Sequence, residues 1–236
     1  KVVQLQYATE SGGSAALRLH KAFLNSNIDS TIVSLIADDV SGLEKTVYLG
    51  KIARVISKID NRIQQYITKH RIKDFGLFSY PILGSDISGE IEVKNADYIY
   101  VHWVLNGFLN LKSLQQLAKL NKPVIIIMHD MWSITGGCHY SFECTKYIEG
   151  CDECPLFKKV KKNDYSKKEF DRKLKFYSKF DNLFFVSPSK WLYELARKAF
   201  LTKNKPVFYI PNVLDNKVFK PIKKNVAKQI LNIETD

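Results

Sequence analysis

His129 and Asp130 carry the strongest chemical signal in the chain. They follow directly on Val124-Ile125-Ile126-Ile127-Met128, an apolar and mostly β-branched run. Such a run reads as a buried parallel strand, and open α/β sheets bind ligands at the carboxyl ends of their strands. An imidazole placed there can bind a hydroxyl group or move a proton near neutral pH. Asp130 can orient His129, contact a substrate, or only cap the following turn. A second strand, Asp97-Tyr98-Ile99-Tyr100-Val101, ends in the same manner on His102-Trp103. The cysteines follow within 17 residues as Cys138-x5-Cys144-x6-Cys151-x2-Cys154, and they are the only four in the chain. The closing C-x-x-C is a good half-site for tetrahedral zinc. A structural four-thiolate site is therefore expected to order the loop 136–156, where metal binding would supply the free energy that few apolar residues can. Disulfides and free thiols remain rivals, the former disfavoured in a reducing compartment. Four thiolates would leave zinc no open position for catalysis.

The elements that must position these residues alternate between strand and helix. Val2 to Gln6 reads as a strand, Thr9 to Ser14 as a tight loop containing Gly12 and Gly13, and a helix then runs to about Leu24. Paired glycines before a helix N-terminus let the backbone approach an anion, but the spacing is not the dinucleotide fingerprint G-x-G-x-x-G. A plain turn explains it equally well. Ser30 to Ser34 reads as a strand. From Tyr48 to Thr68 the period is helical, with Ile52, Val55, Ile56, Ile59, Ile63, Tyr66 and Ile67 on one face. Residues 74–88 have no regular period and read as a surface loop, and a short helix is expected within 87–95. Further helices are expected at 111–120 and about 164–180, the latter burying Phe170, Leu174 and Tyr177. Strands are expected at 183–186 and 207–210, and Ser189 is a good N-cap for the helix between them. This alternation predicts a doubly wound, Rossmann-like parallel sheet of the α/β class with helices on both faces.

Composition bounds the alternatives. The 236 residues carry a formal net charge of +12, and no apolar run approaches the ~20 residues of a membrane-spanning helix. No signal peptide is visible, so the expected location is cytoplasmic. Ten Lys/Arg against three Asp/Glu lie between Lys158 and Lys179. That basic stretch, with Phe176, Tyr177 and Phe180 beside it, suits an anionic membrane surface or another anionic partner, or is only a solvated helix.

Met128-His129-Asp130-Met131-Trp132 with Thr135-Gly136-Gly137-Cys138-His139-Tyr140 resembles the N-terminal domain of retaining GT-B glycosyltransferases, nearest the bacterial group that builds exopolysaccharide, capsule and O-antigen. Three further stretches are similar to that family: the loop from Ser11 to Ala15 leading to Leu19-His20-Lys21-Ala22; His102-Trp103 followed by Asn106-Gly107-Phe108-Leu109; and Ser187-Pro188-Ser189-Lys190-Trp191-Leu192, then Ile210-Pro211-Asn212-Val213-Leu214-Asp215 and Phe219-Lys220-Pro221. The resemblance implies an acceptor-side domain over 1–222 and the start of a linker over 223–236. A second domain with an E-x7-E motif would bind the nucleotide-sugar donor, and no such segment lies in these residues, so the chain alone is expected to be inactive. It further implies catalysis at His129 and Asp130, donor phosphates facing Gly12 and Gly13, and a lipid-linked saccharide acceptor at His102, Trp103, His139 and Tyr140. Nucleic acid is not an expected partner on this reading. The alternative is a zinc-stapled, basic nucleic-acid-binding module, which leaves the alternating elements unexplained.

Overall fold

In the computed structural model, residues 1–9, 14–36, 44–72, 76–216 and 218–233 are described. Seven strands form one all-parallel sheet: β1 (Val2–Ala8), β2 (Ser30–Ile36), β3 (Thr46–Tyr48), β4 (Tyr98–Val101), β5 (Val124–Ile127), β6 (Leu183–Ser187) and β7 (Val207–Tyr209). Their order is β3-β2-β1-β4-β5-β6-β7. The chain steps one way from β1 to β3, returns to β4 on the other side of β1, and steps the opposite way to β7. This is the expected doubly wound, Rossmann-like sheet. Its direction reverses between β1 and β4, where such folds open a crevice. β3 was not foreseen: at three residues it is too short to show a period, and it abuts the start of the expected helix.

The helices are α1 (Ser14–Asn25), α2 (Lys51–Ile67), α3 (Ile91–Asn95), α4 (Leu111–Ala118), α5 (Tyr165–Lys179), α6 (Lys190–Lys198) and α7 (Lys224–Ile230). Ser189 caps α6 as expected, its hydroxyl accepting from the Leu192 N–H at 3.2 Å. Asn110 and Ser113 form a reciprocal cap on α4, and Asp164 caps α5 through the Ser166 and Lys167 N–H groups. None of the α7 residues is buried.

Right-handed crossovers in opposite directions put α1 on one face of the sheet and α4, α5 and α6 on the other. On the latter face Leu5, Ile99, Val101, Ile126 and Phe185 join Leu117, Phe176 and Tyr177 in the main core. The α1 face is different. Tyr100, Ile125, Ile127, Phe184 and Val186 line an open groove of about 490 Å³, bounded by Leu19 and Phe23 of α1. The expected two-sided cover is thus incomplete among the described residues. Every crossover from β4 to β7 runs the same way, so all their helices fall on one side.

Two helices present faces that their sequences did not announce. α2 buries Ser57, Asp60 and Ile67, while Ile52, Val55, Ile59 and Tyr66 of its apolar stripe are exposed. α5 buries Phe170 and Tyr177 as expected but leaves Leu174 half-buried, and it buries Phe176 as well, so two of the three aromatic neighbours expected for a membrane contact face inward. Lys173 is also fully buried. Lys167 is paired with Asp171, and Arg172 with Glu169. Among the described residues no helix is long and apolar enough to cross a membrane.

Candidate functional site

His129 stands just beyond β5 and His102 just beyond β4, beside the reversal of the sheet. His102 Nδ1 and His129 Nε2 are 3.1 Å apart, and the rings are nearly parallel at 22°. The contact continues inward. His102 Nε2 lies 3.0 Å from Gln4 Oε1 on β1, and Gln4 Nε2 donates to Ser30 Oγ on β2 at 3.0 Å. Ser30 Oγ is 2.9 Å from His20 Nδ1 on α1, and His20 Nε2 is 3.0 Å from the Glu44 carbonyl. The strand register aligns these groups, setting Val2 opposite both Ser30 and Tyr98.

One carbonyl fixes every proton in this chain. Glu44 O can only accept, so His20 Nε2 carries hydrogen and its Nδ1 accepts from Ser30. Ser30 in turn accepts from Gln4, whose Oε1 accepts from His102 Nε2. His102 Nδ1 is then bare, and His129 Nε2 is the donor. All three imidazoles are held toward the neutral form. Burial lowers the pKa of His20 and His129, and burial with the neighbouring His129 brings His102 down to about 3. His129 Nδ1 has no hydrogen-bond partner among the described residues.

Asp130 makes no hydrogen bond to His129; its charge only offsets part of the effect of burial on that ring. Its Oδ2 lies 2.6 Å from His139 Nδ1, and its Oδ1 accepts the Trp132 N–H at 2.7 Å. It therefore both closes the turn after β5 and fixes a different histidine. His139 Nε2 is 2.9 Å from Ser79 Oγ. This Ser79-His139-Asp130 series has the connectivity of a nucleophilic triad. However, Ser79 N–H is already given to Gly137 O, and its carbonyl receives the Trp132 indole N–H. The small cavity beside His129, about 30 Å³, is lined by Asp130 but not by Ser79. The series therefore reads as a staple between the segments 79–83 and 130–139.

Gly136 and Gly137 are where the next turn comes closest to its neighbours. A Cβ on Gly136 would sit 2.4 Å from Ser166 O and 2.7 Å from Cys151 Cβ. Gly137 has φ +130, a region that side chains avoid. Beneath the turn, Lys173 Nζ of α5 donates to the carbonyls of Trp132 (2.5 Å) and Thr135 (3.1 Å) and lies 3.6 Å from the Trp132 ring centroid. Tyr177 donates to Ser133 O at 3.0 Å. Burial brings the Lys173 pKa down to about 8, opposed chiefly by Glu169, and burial raises that of Glu169. α5 therefore holds the site loop by its carbonyls.

The four cysteines are free and line one small pocket of about 20 Å³. Cys151 Sγ accepts the Gly136 N–H at 3.1 Å. Burial pushes the Cys151 and Cys154 thiols up to about 12 and raises that of Cys138. Among the described residues no group of three or more His, Cys, Asp or Glu is arranged to hold a metal ion. The thiols are gathered as the spacing predicts, but in this arrangement they do not form a closed ligand set.

Of the residues singled out in the sequence, His102 and His129 meet directly, and Asp130 and His139 meet directly. Trp103 packs edge-on against Tyr7 and lies 6.4 Å from the His139 ring. Tyr140 is exposed and stacks on Trp191, also exposed, at 6.4 Å and 23°. Gly12 and Gly13 lie outside the described residues. Gln4, His20, Ser30, Ser79 and Lys173 were not singled out as site residues. A glutamine at every second position of a buried strand, Gln4 and Gln6, was the one local signal available for the first of these.

No protein-family model matches the chain. Over 80 residues it is 31% identical to the putative colanic acid biosynthesis glycosyl transferase WcaC of Escherichia coli, a match covering 31% of this chain and 18% of that protein. The matched stretch is thus less than a fifth of the relative's length. Among solved structures, L-threonine 3-dehydrogenase from Trypanosoma brucei aligns with a TM-score of 0.35 and 10% identity, over 79% of this chain and 52% of that one. Nothing further follows from so slight a likeness.

Proposed function

We propose that the chain is the acceptor-side domain of a retaining, hexosyl-transferring glycosyltransferase. It would act with a second domain that binds a nucleotide-sugar donor, on a lipid-linked saccharide in surface polysaccharide synthesis. The observation that carries this reading is a neutral His129, fixed through His102 at the reversal of the sheet, with its Nδ1 left to accept. The partial similarity to a glycosyl transferase supports it. An imidazole whose pKa lies below its ordinary value is a weak base but a sound hydrogen-bond acceptor for a sugar hydroxyl. Its role is to bind and orient the sugar. In front-face transfer the acceptor C–O bond forms as the bond from C1 to the phosphate oxygen breaks, and the acceptor's proton passes to the departing phosphate. No side chain is assigned as nucleophile. The exposed pair Tyr140 and Trp191 offers ring faces on which a saccharide can pack. The Gly12-Gly13 loop is proposed for the donor phosphates, and zinc is proposed at the four cysteines as a staple alone.

The test is sugar transfer by the full-length protein, with a panel of nucleotide sugars and a lipid-linked acceptor extract followed by mass spectrometry. His129→Ala removes that orienting contact and is expected to lower turnover by roughly 100-fold while leaving the circular dichroism unchanged. Full turnover in the variant, or no transfer from any donor by the parent, would overturn the reading. The nucleic-acid alternative gives the His129–His102 pair no role, and Lys167, Arg172 and Lys173 of the basic stretch are engaged within the protein.

A further inference from the structure

We infer that α2 and the adjoining segment 158–162 form a docking surface for an anionic lipid bilayer. α2 is amphipathic in an inverted sense. Its polar side faces the protein, and each buried polar group there is occupied. Ser57 donates to Asn106 O at 2.6 Å, and Asp60 accepts the Ile82 and Leu83 N–H groups. Gln64 both donates to Tyr80 O and accepts its N–H. The helix is pressed so closely on the loop after β4 that a Cβ on Gly107 would lie 2.5 Å from Ser57 Cα. The orientation is therefore fixed from inside.

The side left outward carries the apolar stripe: Ile52 is 79% exposed, Val55 54%, Ile59 46% and Tyr66 66%. Alongside it stand the exposed cations Lys51, Arg54, Lys58 and Arg62, with Lys69 over the Tyr66 ring at 4.3 Å. The one acid between Lys51 and Ile72 is Asp60, and it is buried. The surface continues beyond the helix. Arg71 bridges to Phe157, and Lys158 N–H reaches His70 O at 3.0 Å. This sets the exposed run Lys158-Lys159-Val160-Lys161-Lys162 beside the end of α2.

A stripe of large apolar side chains rimmed by cations on one helix fits the boundary between headgroups and acyl chains, and the charge complements anionic lipid. The expected basic contact thus moves from α5 to α2, with 158–162 retained. Asn106, which meets Ser57, follows His102 by four residues, so the surface borders the end of the sheet that carries His129.

Vesicle co-sedimentation of this chain tests the proposal without reference to catalysis. Binding is expected to phosphatidylcholine vesicles containing phosphatidylglycerol at low salt, with release at high salt and none to phosphatidylcholine alone. Lys58→Glu/Arg62→Glu and Ile52→Ser/Ile59→Ser alter only exposed side chains, so circular dichroism is expected to be unchanged. Each removed cation is expected to weaken partitioning roughly fivefold, and the serine pair at least tenfold. Three results would overturn the proposal: equal binding by parent and both variants, no binding by the parent, or a dimer in sedimentation that the serine pair dissolves while vesicles are ignored. Binding to a single-stranded oligonucleotide that the charge reversal abolishes and the serine pair spares would overturn it too.

Discussion

His102 is the residue whose chemistry is most constrained. An unfolded histidine takes up a proton near pH 6.5, whereas His102 in the fold does so only near pH 3. Between those values the unfolded chain binds the extra proton, so stability falls as pH falls through this window. By pH 5 the loss from this group is on the order of 2 kcal/mol, and His20 and His129 act in the same direction. Urea unfolding followed from pH 7 to 5 is expected to show the loss, and His102→Asn to flatten the acid limb. The proton order gives a second expectation. Nitrogen-15 NMR at neutral pH is expected to find His20, His102 and His129 all as the Nε2–H tautomer, and a His129 proton on Nδ1 would break the assignment. Lys173 gives a third: Lys173→Met leaves the buried Thr135 carbonyl unpaired and the Trp132 carbonyl with only the Thr135 N–H at 3.4 Å. That is expected to cost ~1–3 kcal/mol in denaturant titration, the penalty for one buried group left without a partner.

At the scale of elements, what could be read depended on distance along the chain. The strand ends at His102 and His129 were legible because an apolar β-branched run followed by a polar pair is a local pattern. The Ser189 cap was legible for the same reason. The series through Gln4, Ser30 and His20 was not, because it exists only once β1 is in register with β2 and β4. Ser79 was hidden in a stretch without a period, and its role depends on His139, 60 residues away. For α2, periodicity located an apolar stripe but could not tell which side packs. The buried partners of Ser57, Asp60 and Gln64 decide that. The cysteine loop divides in the same manner: spacing foretold the gathering of thiols, but not their geometry. Gathered thiols with the Gly136 N–H at Cys151 support zinc, and the absence of a closed ligand set among the described residues counts against it. The zinc proposal predicts about one metal ion per chain by elemental analysis, and thiols shielded from a thiol reagent until a chelator is added. No metal and four reactive thiols would end it. Gly136→Ala drives a methyl group into Ser166 O and Cys151, and is expected to destabilise the fold by ~1–3 kcal/mol in thermal or urea melts.

At the scale of the molecule, the fold class was the most legible feature. Alternating strands and helices with right-handed crossovers leave few topologies. The open half of the α1 face was not legible, since nothing local says that three successive crossovers leave one side of β4 to β7 bare. The two long-range surfaces of the protein are therefore distinct. One is an apolar groove over Ile125, Ile127 and Phe184. The other is the cation-rimmed stripe of α2, which contributes no residue to that groove.

The hydrogen-bonded series behind His129 has a consequence for assembly. It takes one member from each of four neighbouring positions in the sheet: Ser30 on β2, Gln4 on β1, His102 past β4 and His129 past β5. A slip of one residue in any of these pairings would turn a member to the opposite face and interrupt the series. The protonation pattern of a single imidazole at the rim is thus a gauge of correct threading across half the sheet. A chain that folds with a strand misplaced would present the same residues in sequence with a differently tuned ring at the cleft.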